Sequence, residues 1–198
     1  MSFYHFAKTL VAVLLFPAYR IQVIGKENIP KEGGVLLCSN HISNLDPPVV
    51  GITCPRPISF MAKAELFNSP LFGKILKKVH AFPVKRGMSD REALRMGLKS
   101  LKDGHVLGLF PEGTRSKTGE LGKGLAGAGF FAMRTDAKVV PCAIIGDYKF
   151  WGRIKVIYGK PIDFEEMREK KVSAEEATDH IMSAIKSLLD TYKQGSNA

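Results

Sequence analysis

Short apolar runs separated by polar turns recur along the chain, with helical patterns between them. Runs rich in β-branched or aliphatic residues, which are typical of buried strands, occupy residues 21–25, 35–38, 58–61, 105–110, 138–145 and 153–158, and residues 80–87 run from a strand into a basic turn. Helical patterns cover residues 47–53, 66–79, 89–103, a segment ending near 135, and the chain from 173 onward. Strands alternating with helices predict an α/β fold with a mostly parallel central sheet flanked by helices.

The N-terminal segment is the most apolar part of the chain. A membrane-spanning helix needs roughly 20 apolar residues, whereas the clean run here extends only from Leu10 to Tyr19 and contains Pro17. We therefore expect residues 1–20 to form a membrane-associating helix that lies in one leaflet, with Arg20 at the interface. The alternative is a helix docked on the domain's own core. Residues 21–198 are expected to form a single α/β domain.

Basic residues exceed acidic ones, and they cluster on one predicted helix. Lys and Arg number 29 against 19 Asp and Glu, a net charge of +10 that predicts an anionic partner. Apolar residues recur at helical spacing over 66–79, with Lys74, Lys77 and Lys78 on the other side. This amphipathic helix could pack on the sheet, rest on anionic lipid, or do both.

The three cysteines are Cys38, Cys54 and Cys142, and none is part of a CxxC motif. An odd number without such spacing indicates neither a disulfide framework nor a thiolate zinc site, which fits a reducing compartment.

A polar stretch after the strand at 35–38 carries the first candidate site. It contains His41 and Asp46, and open sheets of this kind hold reactive groups at the carboxyl ends of their strands. If the intervening residues curl, the carboxylate can fix the imidazole tautomer and leave the other nitrogen to act as a base. The alternative is that Asp46 only caps the helix at 47–53 and His41 is a satisfied histidine at the rim.

Two other chemistries fit these residues less well. Ser39 and Ser43 lie near His41, but the chain has no Gly-x-Ser-x-Gly elbow for a nucleophilic serine. A metal site lacks ligands, because no second histidine lies two to four residues beyond His41. No metal and no cofactor are therefore expected.

Cationic side chains also fall at or near strand ends. Arg86 and Arg115 each follow a predicted strand, and Lys123 stands between two glycines. A guanidinium offers a planar fork of donors that matches phosphate oxygens. Each of the three could instead be a solvated surface charge, but together they suggest a phosphate-bearing acceptor.

Four ordered segments resemble the blocks of the glycerolipid acyltransferase family. They are Asn40-His41 with Asp46, then residues 82–86, 110–116 and 139–143. The string Phe-Pro-Glu-Gly-Thr-Arg-Ser at 110–116 is the most specific of them. The second block departs from the family pattern at His80, where the family usually has glycine.

The resemblance implies an enzyme that moves a fatty acyl group from a thioester to the free 2-hydroxyl of lysophosphatidate, making phosphatidate. It implies that His41 is the general base, that Asp46 orients it, and that no acyl-enzyme forms. The predicted substrate-binding set, which combines the block positions with the basic residue between the glycines, is Arg86, Glu112, Gly113, Thr114, Arg115 and Lys123.

The expected partners are the lysophosphatidate acceptor, an acyl-ACP (acyl carrier protein) or acyl-CoA donor, and an anionic membrane surface. The expected location is the cytoplasmic face of the cell membrane, as a peripheral or monotopic protein. Glycerol 3-phosphate, a lysophospholipid with a larger headgroup and a non-phosphorylated lipid are alternative acceptors, although the last would leave Arg86 and Arg115 unexplained. A basic protein that binds membranes or nucleic acid would explain the charge but not the ordered blocks, so no nucleic acid partner is expected.

Overall fold

A single seven-stranded sheet organises the protein, in a computed structural model that describes residues 3–85 and 90–194. The strands are β1 (Arg20–Ile24), β2 (Val35–Ser39), β3 (Ile58–Lys63), β4 (Phe82–Val84), β5 (Val106–Leu109), β6 (Lys138–Gly146) and β7 (Arg153–Tyr158). Their order across the sheet is β1-β7-β6-β2-β5-β3-β4, and every pairing is parallel except that of β6 with β7. The predicted α/β fold with a mostly parallel sheet is confirmed.

Helices cover both faces of this sheet. They are α1 (Phe3–Ala18), α2 (Asp46–Thr53), α3 (Pro70–Lys78), α4 (Arg91–Lys102), α5 (Gly127–Arg134), α6 (Glu165–Glu169) and α7 (Ala174–Gln194), with short 3₁₀ turns at Lys26–Asn28 and Ala64–Asn68. Leu36 and Cys38 of β2 pack in the core beneath α4, α5 and α7. Val35 and Leu37 pack in a second core with α2. This alternation follows from the two-residue period of a strand, and it leaves β2 buried along its whole length.

Helix α1 packs one face against the domain. The Tyr4 side chain is buried, and its hydroxyl oxygen accepts a 2.9 Å hydrogen bond from the Ile58 amide. Leu15 packs against the α2 side of the core. The opposite side of the helix exposes large apolar side chains, which we call the α1 outer face: Phe6, Leu10, Val13, Leu14 and Phe16. In the part of the chain that the structure describes, no helix is both long enough and apolar enough to cross a bilayer.

The pattern predicted as one helix over residues 66–79 forms two elements. A 3₁₀ turn, Ala64–Asn68, ends before Ser69, whose extended backbone starts α3 and whose hydroxyl accepts a hydrogen bond from the Phe72 amide. The break follows from Pro70, because a residue before proline is pushed out of helical geometry. Leu71 is 73% exposed, so α3 presents apolar as well as basic residues to the surface.

Two local features flank the second block, at His80 and at Asp90. His80, which stands where the family usually has glycine, has a left-handed backbone with φ of 63°. That conformation is the one glycine adopts most readily, and the His80 ring stacks on Tyr4 at 5.2 Å between centroids. Helix α4 begins at an Asp90 cap, whose carboxylate accepts from the Ala93 amide. The predicted start at Ser89 lies outside the described residues.

Candidate active site

The predicted His41–Asp46 pair is brought together at the carboxyl end of the central strand. His41 follows β2 by two residues, and Asp46 is the first residue of α2. The intervening chain curls, so that His41 Nδ1 lies 2.7 Å from Asp46 Oδ2. Asp46 is fully buried and His41 is 8% exposed. Because a carboxylate can only accept, this contact favours the neutral tautomer in which Nδ1 carries the hydrogen and Nε2 keeps its lone pair.

Asp46 does not cap α2, and this alternative is wrong. The cap position is Leu45, which makes no side-chain hydrogen bond to the helix. Asp46 Oδ2 instead accepts from the amides of Ile42 and Ser43, each at 2.7 Å. The side chain therefore points back into the turn that precedes the helix. Two backbone donors and the imidazole hold this oxygen in one place.

Tyr148 is a member of the site that the sequence analysis missed. It lies in the loop after β6, and its hydroxyl donates a 2.8 Å hydrogen bond to Asp46 Oδ1. Burial, followed by the charge of Asp46, raises the pKa of Tyr148 well above its ordinary value, so the phenol keeps its proton and remains a donor. The only signal that could have suggested it is its place just beyond the strand next to β2.

The His41 ring is also fixed by stacking. The Phe110 ring lies 4.1 Å from it between centroids, with 21° between the planes. Phe60 stacks in turn on Phe110 at 5.9 Å. Since Phe110 begins the loop after β5 and Phe60 lies on β3, three neighbouring strands help to orient the imidazole.

Glu112 connects the two loops that border the site. Its Oε1 accepts from the His41 amide and its Oε2 from the Gly122 amide, both at 2.8 Å. The Ser116 amide donates to the His41 carbonyl oxygen at 2.8 Å. The buried Glu112 carboxylate thus holds the His41 turn, while its predicted contact with the glycerol phosphate stays a prediction.

The other predicted binding residues lie along the same loop. Gly113 has φ of +68°, a left-handed backbone conformation that favours glycine, and a Cβ there would meet only the tip of the exposed Leu125 side chain. Thr114, Arg115 and Lys123 are exposed. Arg115 precedes Ser116, which bonds to His41, and Lys123 follows Gly122, which bonds to Glu112. The backbone at both cations therefore adjoins residues that bond to the site, while their contact with a phosphate stays a prediction.

Arg86 lies outside the described residues, so its place relative to His41 stays a prediction. Across residues 3–85 and 90–194, no group of three or more His, Cys, Asp or Glu side chains could hold a metal ion.

Asn40 fixes the chain just before His41. Its amide nitrogen donates to the Ile144 carbonyl oxygen at 2.9 Å, and its amide oxygen accepts from the Ile144 amide at 2.7 Å. The side chain thus extends the pairing of β2 with β6 beyond the end of β2. The motif contains Asn40, but no local pattern predicts this contact.

Comparisons with known proteins point to one family. A family model described as "Acyltransferase" matches residues 20–145. A 1-acyl-sn-glycerol-3-phosphate acyltransferase from Bacillus subtilis is 32% identical, with the match covering 94% of this chain and 98% of the relative. The chloroplastic 1-acyl-sn-glycerol-3-phosphate acyltransferase LPAT1 of Arabidopsis thaliana is 33% identical over 81% of this chain, which spans about half (49%) of that protein.

A solved structure has the same fold. The crystal structure of the 1-acyl-sn-glycerophosphate (LPA) acyltransferase PlsC from Thermotoga maritima superposes with a TM-score of 0.72 at 25% sequence identity. The match covers 93% of this chain and 76% of that one.

Proposed function

The chain belongs to the acyltransferase family, and on that premise we propose that it moves a fatty acyl group from a thioester to the sn-2 hydroxyl of 1-acyl-sn-glycerol 3-phosphate, giving phosphatidic acid. The names of the relatives support this substrate. The observation that carries the chemistry is the buried 2.7 Å contact between His41 and Asp46 at a strand end.

His41 is the general base in this proposal. Its Nδ1 hydrogen is held by Asp46, so Nε2 accepts the proton of the acceptor hydroxyl as the reaction begins. The charge that develops on the imidazole is stabilised by the buried carboxylate. Asp46 stays in place because Ile42 and Ser43 donate to the same oxygen.

The transfer itself needs no covalent enzyme intermediate. The deprotonated acceptor oxygen attacks the thioester carbonyl carbon, and a carbon–oxygen bond forms. The tetrahedral intermediate then collapses, the carbon–sulfur bond breaks, and the sulfur leaves with the proton that Nε2 returns. The ester product and a free thiol result, and His41 is neutral again.

The acceptor's phosphate is proposed to lie at the rim formed by Arg115 and Lys123, with Arg86 as a further ligand. The Arg115 guanidinium and the Lys123 ammonium, on the loop that also carries Gly113 and Thr114, are the kinds of cation that bind phosphate. Glu112 supports this loop through the two backbone amides it binds. The donor is proposed to be acyl-ACP or acyl-CoA, both anionic and both matched to a chain of net charge +10.

We propose that the protein works at the cytoplasmic face of the cell membrane. The α1 outer face supplies exposed apolar area, and Lys74, Lys77 and Lys78 on α3 supply positive charge toward anionic lipid. The Lys78 ammonium lies 4.8 Å from the Phe3 ring, so the basic residues of α3 adjoin the start of α1.

The decisive experiment is an acyl-transfer assay with purified protein and a panel of acceptors: lysophosphatidate, glycerol 3-phosphate, and lysophospholipids with larger headgroups. Each is assayed with acyl-ACP and with acyl-CoA. His41→Ala should lower kcat with lysophosphatidate by about 10²–10⁴-fold, the usual contribution of a positioned base.

The matched control is His105→Ala, which removes an exposed histidine just before β5, at the opposite edge of the sheet. It should leave kcat unchanged. An active His41→Ala protein, or a native protein that prefers an acceptor without phosphate, would overturn the proposal.

A further inference from the structure

The turn between β6 and β7 exposes two aromatic side chains. We call residues 147–152 the hairpin tip. Within it, Phe150 is 76% exposed and Trp151 is 59% exposed, with ring centroids 5.9 Å apart. Tight turns usually carry small polar residues. An adjacent pair of large exposed aromatics is typical of an interaction surface rather than of a solvent-facing turn.

The tip holds Trp151 in a fixed position. Trp151 has a left-handed backbone with φ of 63°, a conformation that bulky residues rarely adopt. Its amide donates to the Ala18 carbonyl oxygen at 2.8 Å, at the end of α1. The Arg20 amide donates to the Gly152 carbonyl oxygen at 2.9 Å, and the Arg20 guanidinium lies 5.9 Å from the centroid of the Trp151 ring. A strained residue that is fastened on both sides indicates a functional constraint.

The hairpin tip continues the α1 outer face. Trp151 contacts the last residue of α1, and Phe16 near that end is exposed as well. Arg20 and Lys149 are exposed beside the aromatic pair, and Lys149 lies 2.6 Å from the exposed Asp147 carboxylate, which leaves Arg20 as the cation without an acidic neighbour in the tip. Tryptophan next to basic residues, at the end of an apolar helix face, is the composition of a membrane interface, where the ring sits at headgroup level and cations meet anionic lipid.

The tip also lies on the active-site edge of the sheet. Strand β6 runs parallel to β2, and Cys142 lies opposite Ser39 in the register. Residues beyond Gly146 therefore extend past the strand end that leads to His41. Tyr148, which bonds to Asp46, belongs to the tip itself. A bilayer that touches the tip would border the candidate active site.

We propose that Phe150 and Trp151 insert into the headgroup region of an anionic bilayer, as a contact additional to α1 that brings the His41 edge of the sheet to the lipid. This rests on the proposed function only in taking the acceptor to be a membrane lipid. The tip and the α1 outer face adjoin but belong to different segments of the chain, so a probe or variant in the tip tests its contact separately.

Trp151 is the only tryptophan of the chain, and its fluorescence reports on the tip directly. Native protein is mixed with vesicles of equal parts phosphatidylcholine and phosphatidylglycerol, with and without bromine on the acyl chains. We expect a blue shift of the emission on binding and quenching by the brominated lipid.

Three results would overturn the inference. One is sedimentation of the protein with vesicles without quenching, which would leave the α1 contact intact. Another is the absence of vesicle binding. The third is a shift of the emission with acyl carrier protein but not with lipid, which would identify a protein partner instead.

Two variants test the contribution of the tip to vesicle binding. Phe150→Ser should weaken binding to these vesicles about tenfold, as expected for removing one large apolar side chain from the interface. Met96→Ser is the matched control, because Met96 is an exposed apolar residue of α4, which packs on the face of the sheet opposite to α1. It should bind vesicles as the native protein does.

Activity separates this inference from the proposed function. Phe150→Ser should raise the apparent KM for lysophosphatidate presented in vesicles, while kcat with a short-chain, water-soluble lysophosphatidate stays at the native value. Native vesicle affinity of Phe150→Ser would overturn the inference. A native protein inactive on both forms of lysophosphatidate would instead overturn the proposed function, whatever the vesicle binding shows.

Discussion

Replacing Tyr148 by Phe tests whether the site depends on the full set of hydrogen bonds around Asp46. The change removes the hydroxyl that donates to Asp46 Oδ1 and keeps the ring, which packs edge-on against Tyr19 at 5.6 Å. Oδ2 would keep its three donors, namely the His41 imidazole and the two amides of Ile42 and Ser43. Oδ1 would lose its bond inside a fully buried side chain.

The expected effect follows from that loss. A hydrogen bond to a charged acceptor contributes about 1.5–3 kcal/mol, so the free energy of unfolding should fall by about 2 kcal/mol. If about 1.4 kcal/mol of this loss also applies to the transition state, in which the carboxylate must hold the charged imidazole, kcat falls about tenfold. This is much less than for His41→Ala, because the contact between His41 and Asp46 survives.

The assay is steady-state acyl transfer to a short-chain lysophosphatidate, with denaturant unfolding measured on the same protein. A positioning residue should lower kcat and leave the acceptor's KM near its native value, because Tyr148 acts on Asp46 and not on substrate. Tyr19→Phe is the matched control, since it removes a hydroxyl from the neighbouring ring and keeps the ring packing. Native kcat in Tyr148→Phe, with only the stability reduced, would refute the reasoning and leave Tyr148 a purely structural residue.

Three further predictions concern the phosphate, the Glu112 carboxylate and the thiols. Arg115→Ala should lower kcat/KM for lysophosphatidate about tenfold or more by removing a charge-assisted contact, and Arg86→Ala should act in the same direction, whereas native values in both would contradict the phosphate site. Glu112→Gln places an NH₂ group against a backbone N–H, so the free energy of unfolding should fall by about 1–3 kcal/mol. An unchanged denaturation midpoint would argue against the bridging role of Glu112. Burial raises the pKa of Cys142 from 9.0 to about 12, and all three cysteines are buried and free. A thiol reagent should therefore react with none of them until the protein unfolds. Rapid labelling of the native protein would contradict this burial. Because unfolded thiols ionise from about pH 9 and Cys142 only near 12, the free energy of unfolding should fall as the pH rises above 9.

Local patterns determined the strands, most of the helices and the candidate chemistry. The apolar run of β2 and the polar stretch after it are short-range features. They predicted a histidine at a strand end, and they left open whether Asp46 returns to it or caps the next helix. Local rules failed where two of them competed. An aspartate can either cap a helix or accept hydrogen bonds from a preceding turn. The Asp46 carboxylate binds the imidazole and the amides of that turn and does not cap α2.

The tertiary structure alone decided which distant residues complete the site. Tyr148 lies 102 residues after Asp46, and Glu112 lies 71 residues after His41. They meet because the strand order places β6 and β5 on either side of β2. The order of strands depends on how all the apolar faces are buried together, and no single segment encodes it. The sequence by itself therefore predicted that His41 and Asp46 could pair at a strand end, whereas the sheet decided which distant residues hold that pair in place.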